Sequence, residues 1–130
     1  MSGPASACPV VLVVEDEVFI RFDVADMLRD DGFEVIEAGN AQEALDALAT
    51  GARIDLVFSD IQMPGAMNGL GLARHILAHH PGLPVILTSG ASLQHSVEPA
   101  LGPIEPKPYD PETILARVRA ALPVRSDPSA

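Results

Sequence analysis

Three apolar runs in this chain each end in charge: Val10–Val14 in Glu15-Asp16, Leu56–Ser59 in Asp60, and a shorter stretch at Ile104 in Lys107. In an open parallel sheet the C-terminal ends of the strands converge on one edge, where ligands bind, so three carboxylates and one ammonium would gather there. Two carboxylates at ~4 Å repel by roughly 4 kcal/mol at an effective dielectric of 20, so the cluster requires cations or protons. A divalent metal and Lys107 are the counter-charges at hand. A carboxylate so placed can attack a phosphoryl group and form an acyl phosphate, which makes Asp60 the candidate nucleophile. Phosphoryl transfer needs mainly in-line positioning and charge stabilisation, and magnesium suits it through its preference for carboxylate, water and phosphate oxygens. Lys107 would then hold a phosphoryl oxygen as a point charge.

The elements that must position these residues can be read from apolar spacing. Val10–Val14 is an uninterrupted apolar run, β-branched except at Leu12, the mark of a strand buried on both faces. Glu17–Asp31 carries Ile20, Val24, Met27 and Leu28 at helical spacing and is closed by Gly32. Glu34–Glu37 reads as a second strand. Asn40 with Glu43 three residues on resembles a capping box, opening a helix with Ala44, Leu45 and Leu48 inward that ends near Gly51. Ile54–Ser59 is the third strand, and Asn68–His80 a helix stopped by Pro81-Gly82. Val85–Leu87, a fourth strand, delivers Thr88-Ser89-Gly90 to the same sheet edge. Ala91–Pro103 holds Pro99 and Gly102, which allow only a short helix before a brief fifth strand around Ile104. Asp110-Pro111 caps a last helix with Ile114, Leu115, Val118 and Leu122 inward. Alternating strands and helices predict an α/β fold, a doubly wound five-stranded parallel sheet with helices on both faces.

At 130 residues the chain fits one domain, residues 10–122, between Pro-, Ser- and Ala-rich segments 1–9 and 123–130 that read as mobile tails. A net charge of −10 with only 8 Lys and Arg argues against nucleic acid or an anionic membrane surface as partner. Cys8 is the single cysteine, which excludes an internal disulfide or a thiolate metal site. No apolar run approaches the ~20 residues of a membrane span, and Met1–Pro9 lacks the features of a signal peptide, so a cytoplasmic location is expected. His75, His79 and His80 fall on a polar helix face and read as solvated, as does His95.

Four motifs in order, Val13-Val14-Glu15-Asp16-Glu17, Ser59-Asp60-Ile61-Gln62-Met63-Pro64-Gly65, Leu87-Thr88-Ser89-Gly90 and Lys107-Pro108, resemble those of the receiver domain of bacterial two-component response regulators. The resemblance covers about Val10–Leu122. It implies a flavodoxin-like sheet of strand order 2-1-3-4-5 and phosphorylation on Asp60, with Asp16 and Asp60 binding Mg2+ directly, Glu15 through water, and the Gln62 backbone carbonyl adding one oxygen. It also implies that Thr88 offers its hydroxyl to the phosphoryl group and reports its presence, and that Lys107-Pro108 is the family's cis peptide. The implied protein catalyses its own phosphorylation and dephosphorylation but is primarily a signalling switch. It would take its phosphoryl group from a histidine kinase or a histidine phosphotransfer protein and act on a separate downstream protein.

The chain departs from the usual pattern in two places. Receivers commonly carry a switch aromatic three residues before the lysine, where this chain has Ile104, and the loop Pro64–Gly69 is one residue longer than usual. Together with Thr88-Ser89-Gly90 these features resemble an atypical, often single-domain receiver group. We therefore expect the switch to involve Thr88, Ser89 and Ile104, with Ala91–Pro103 ordering and disordering in response to a hydrogen bond between Thr88 and the phosphoryl group. A second apolar stripe on the first helix, Val18, Phe22 and Ala25, is expected to point partly outward and to dock the phosphodonor. The alternative function is a phosphorylation-independent pseudo-receiver acting as an adaptor; the complete acidic set and Lys107 argue against it. A flavin- or nucleotide-binding reading fails because Glu15-Asp16-Glu17 stands where an anion cradle would be needed. A haloacid-dehalogenase-like phosphatase would need its nucleophilic aspartate immediately after the first strand with a second acid two residues on, a pattern that the adjacent pair Glu15-Asp16 does not fit.

Overall fold

The computed structural model describes residues 8–90, 104–107 and 109–122. In chain order the elements are β1 (Val10–Val14), α1 (Val18–Asp30), β2 (Glu34–Ala38), α2 (Ala41–Ala49), β3 (Leu56–Asp60), α3 (Gly69–His79), β4 (Val85–Ser89), β5 (Ile104–Pro106) and α4 (Pro111–Ala121). The strands form one parallel sheet in the order β2-β1-β3-β4-β5. The order reverses between β1 and β3, which opens a crevice at their C-terminal ends.

Period-two alternation in β1 sorts the helices onto two faces. Val11 and Val13 pack with Val24 and Leu28 of α1 and with Ile114 and Val118 of α4. Leu12 and Val14 pack with Ala41 and Ala44 of α2 and with Leu72 and Ile76 of α3. Each fully buried Val, Leu or Ile stabilises by roughly 1.5–3 kcal/mol, so the two clusters supply the rigid platform on which the sheet edge rests.

Local chemistry sets the helix starts. The Asn40 side chain accepts from Glu43 N at 2.8 Å, while the Glu43 carboxylate reaches back to Gly39 N at 2.7 Å, one residue beyond the expected reciprocal bond. Asn68 caps α3 through Gly71 N at 3.0 Å, and Asp110 caps α4 through Thr113 N at 3.2 Å with Pro111 next in the chain. Gly69 is required by space: a Cβ there would lie 2.1 Å from the Asp60 carbonyl oxygen, so α3 begins pressed against the strand that carries Asp60.

Several boundaries differ from the sequence expectation. The third strand begins at Leu56, because Asp55 turns its carboxylate to accept the Val10 N–H at 2.8 Å, and it runs on to include Asp60. The fourth strand likewise includes Thr88 and Ser89. Pro9, taken as the last residue of a tail, accepts a hydrogen bond from Glu34 N at 2.9 Å and so is tied to the sheet edge. On α1 the buried face is Val24, Ala25 and Leu28, whereas Ile20 and Met27 are half-buried. Residues 1–7 and 123–130 of the expected tails, the expected switch segment Ala91–Pro103 with His95, and the Pro108 half of the Lys107-Pro108 peptide lie outside the described residues.

Candidate functional site

Asp60, Thr88, Glu15 and Lys107 meet at the C-terminal edge of the sheet, each placed by a strand. Asp60 and Thr88 are direct partners in the β3–β4 register and are both buried. Glu15 follows β1 with its carboxylate almost fully buried, and Lys107 follows β5 with its backbone N–H bonded to Ser89 O at 2.9 Å. Lys107 Nζ then bridges the two acids, donating to Asp60 Oδ2 at 3.1 Å and to Glu15 Oε1 at 3.3 Å.

Asp16 is exposed beside them. One carboxylate oxygen from each of Glu15, Asp16 and Asp60 lies within 4.8 Å of the others, the only such cluster of potential metal ligands among the described residues. Burial pushes the Glu15 carboxyl above its ordinary range; the hydrogen bond from Glu17 N opposes the shift and the Asp60 charge reinforces it. Burial alone would depress Lys107, but its hydrogen bond to Asp60 and the fields of both acids outweigh that and raise it above its ordinary value. The Thr88 hydroxyl oxygen is buried without a hydrogen-bond partner. A buried orphan hydroxyl costs about 1–3 kcal/mol, which marks a place where an oxygen-bearing group belongs. Three hard oxygen donors and an orphan hydroxyl fit a small divalent cation together with an oxyanion.

The remaining site expectations divide. Gln62, named for its backbone carbonyl, donates its own N–H toward Asp60 Oδ1 at 3.4 Å. Its side-chain oxygen accepts from Ser89 Oγ at 3.2 Å and from Gly90 N at 3.3 Å, stitching the loop after β3 to the end of β4. Ile104 is half-buried and packs against Ile61, Ala73 and Leu87. On α1, Val18 and Phe22 are exposed at 46% and 49%. Ala25 is not: it is fully buried, because a small side chain there lets α1 seat on the sheet, so its assignment to an outward face is corrected. The most exposed aromatic on that helix is Phe19, at 79%, which the stripe of Val18 and Phe22 passes over.

Three contributors to the site escaped the sequence reading. Arg21 of α1 donates through Nη1 to the Glu15 carbonyl at 2.9 Å and through Nε to Glu37 Oε1 at 3.1 Å, which clamps the acidic turn from behind. The Gln62–Ser89 bond joins the loop after β3 to the end of β4, which no local pattern connects. Tyr109, two residues past Lys107, packs edge-on to Phe58 with ring centroids 5.9 Å apart. Its buried hydroxyl has no partner, and burial together with the negative charges of Glu15, Asp60 and Asp23 holds its ionisation far above the ordinary range. An aromatic two residues past the lysine was the available signal. Tyr109 and Lys107 also border a groove of about 440 Å³ whose other wall is α1, at Ile20, Asp23, Val24 and Met27. No helix among the described residues is long and apolar enough to cross a membrane.

Comparison with known proteins converges on one family. Residues 11–119 match the response regulator receiver domain. The chain is 39% identical over 95 residues to the transcriptional regulatory protein PdtaR of Mycobacterium tuberculosis; the match covers 68% of this chain but 45% of that protein, so the chain spans under half the length of that relative. The receiver domain of NtrX from Brucella abortus superposes with a TM-score of 0.78 at 37% identity, covering 86% of this chain and 97% of that one. The response regulator protein TrrA of Thermotoga maritima, in complex with Mg(2+)-BeF, superposes with a TM-score of 0.80 at 29% identity, covering 88% of this chain and 99% of that one.

Proposed function

This chain belongs to the response regulator receiver domain family, and on that premise we propose that it is a phosphoryl-accepting switch of a phosphorelay, with Asp60 as the acceptor. The observation that carries the proposal is the Lys107 bridge: one ammonium within 3.1 Å of Asp60 and 3.3 Å of Glu15, at the mouth of an acidic cluster with an orphan hydroxyl beside it.

An Asp60 carboxylate oxygen attacks the phosphorus of a phosphohistidine. The P–N bond breaks, its electron pair returns to the imidazole, and an acyl phosphate remains. Glu15, Asp16 and Asp60, with the Gln62 carbonyl, would hold Mg2+, which offsets the charge of the phosphoryl oxygens when bound. Lys107 gives up its contact with Asp60 to hold a phosphoryl oxygen, and Thr88 donates its hydroxyl to another, which removes the orphan. Water later attacks the phosphorus, the bond from phosphorus to the Asp60 oxygen breaks with its electron pair returning to the carboxylate, and inorganic phosphate leaves. The exposed Val18, Phe19 and Phe22 and the groove beside Lys107 suit the helical surface of a histidine kinase or histidine phosphotransfer protein, because they bring an apolar contact next to the acceptor. The receiver passes its state to a downstream protein in the cytoplasm.

The test is intact-mass or Phos-tag analysis after incubation with acetyl phosphate and Mg2+. A gain of ~80 Da, the mass of one phosphoryl group formed as an acyl phosphate, is expected, abolished by EDTA and by Asp60→Asn. Absence of the gain would overturn the reading.

A further inference from the structure

Outside the acidic site, ligand-type side chains also gather at the end of α3. His75 and His79 are one helical turn apart, with rings stacked at a centroid distance of 4.2 Å and an interplanar angle of 23°. His80, the C-cap, brings a third ring to 6.3 Å from His75. With Zn–N bonds of ~2.0–2.1 Å, two imidazoles sharing one ion have ring centroids roughly 4–6 Å apart, so the spacing already suits ligation and only rotation of the rings is needed to converge the nitrogens.

Further features favour a cation here. The His79 Nδ1 lies 3.1 Å from the His75 carbonyl oxygen, which can only accept, so in the neutral ring Nδ1 is the nitrogen that carries the proton and Nε2 the one free to ligate. This is the arrangement that orients a metal-ligating histidine. The cluster also sits at the C-terminal end of α3, the helix terminus that attracts positive charge.

We infer that His75 and His79, with His80 adjacent, form a surface site for a borderline first-row divalent ion such as Zn2+. As the return limb of a crossover, α3 runs back from the Asp60 edge, so this site lies at the opposite end of the sheet and is independent of the phosphoryl chemistry. Waters or a donor from another molecule complete the coordination.

The test is calorimetric titration of the full chain, carrying Cys8→Ser to remove the thiol, with ZnCl2 in excess Mg2+ to occupy the acidic cluster. Saturable binding of one ion per chain is expected. His75→Ala and His79→Ala should each weaken it by about tenfold or more, since even an outer-shell partner of a metal is worth that factor. Asp60→Asn should leave it unchanged. No saturable binding, undiminished binding in the two histidine variants, or loss of binding in Asp60→Asn would each overturn the inference.

Discussion

Replacing Asp60 by Asn should stabilise the metal-free protein, because charge at this position is repelled more than it is attracted. Lys107 Nζ lies 3.1 Å from the Asp60 carboxylate, an attraction of about 5 kcal/mol at an effective dielectric of 20. Glu15 and Asp16 each place an oxygen within 4.8 Å, and each such pair costs about 3.5 kcal/mol or more at the same dielectric, about 7 in total. Solvent screening of the exposed Asp16 reduces its share, leaving a net penalty of about 1 kcal/mol. For a domain of this size that corresponds to a rise of about 3–5 °C in Tm. The assay is thermal and urea unfolding of both proteins in EDTA and again in millimolar Mg2+. In EDTA the variant should be the more stable. In Mg2+ the order should reverse, since a ligand at a hundredfold over its Kd adds about 2.7 kcal/mol to the protein that binds it. A variant less stable than wild type by about 1 kcal/mol in EDTA would show that the Lys107 contact dominates. Equal stabilisation of both proteins by Mg2+ would remove the acidic cluster as its site.

Glu15→Gln should show the same frustration through pH. The folded Glu15 carboxyl is raised above 4.5, so the folded state binds the proton more tightly than the unfolded chain. The stability that this affords is present below pH 4.5 and is lost as pH rises through the folded value. The variant should therefore gain on wild type across that window in EDTA, and a pH-independent difference in urea midpoints would refute the assignment. Gly69→Ala places a methyl 2.1 Å from the Asp60 carbonyl oxygen and should cost about 3 kcal/mol or more in urea unfolding, with slowed labelling by acetyl phosphate; an unchanged midpoint would refute the close approach. Phe22→Ala and Phe19→Ala should slow phosphotransfer from a phosphohistidine protein while leaving acetyl phosphate labelling intact. Equal loss of both reactions would point to destabilisation instead.

Much of this architecture is legible in the sequence, for reasons that particular residues make plain. Val10–Val14 is a strand over its full expected length because a short, uninterrupted, valine-rich apolar run suits a strand covered on both faces. Asn40, Asn68 and Asp110 start helices through bonds that reach three residues, so local pattern records them. The chemistry is legible too, since a carboxylate or ammonium ending an apolar run has few reasons to be there. Ala25 was misplaced because helical spacing gives the period of a stripe but not the direction of the sheet, and Ala packs inward or outward without changing the pattern.

What the sequence determined by itself is the inventory: which elements form, in what order, and that Glu15, Asp16, Asp60, Thr88 and Lys107 ride at the same ends of their strands. What only the tertiary structure decided is distance. Asp60 faces Thr88 because β3 and β4 pair in one register. Lys107 reaches across 92 residues to Glu15. Gln62 turns its side chain to Ser89, Arg21 clamps the acidic turn, and Tyr109 seals a hydroxyl beside buried charge. Local periodicity encodes burial, because each residue meets the core or solvent within its own element. Contacts between elements depend on register and helix approach, which the whole core sets at once and no short window of sequence contains.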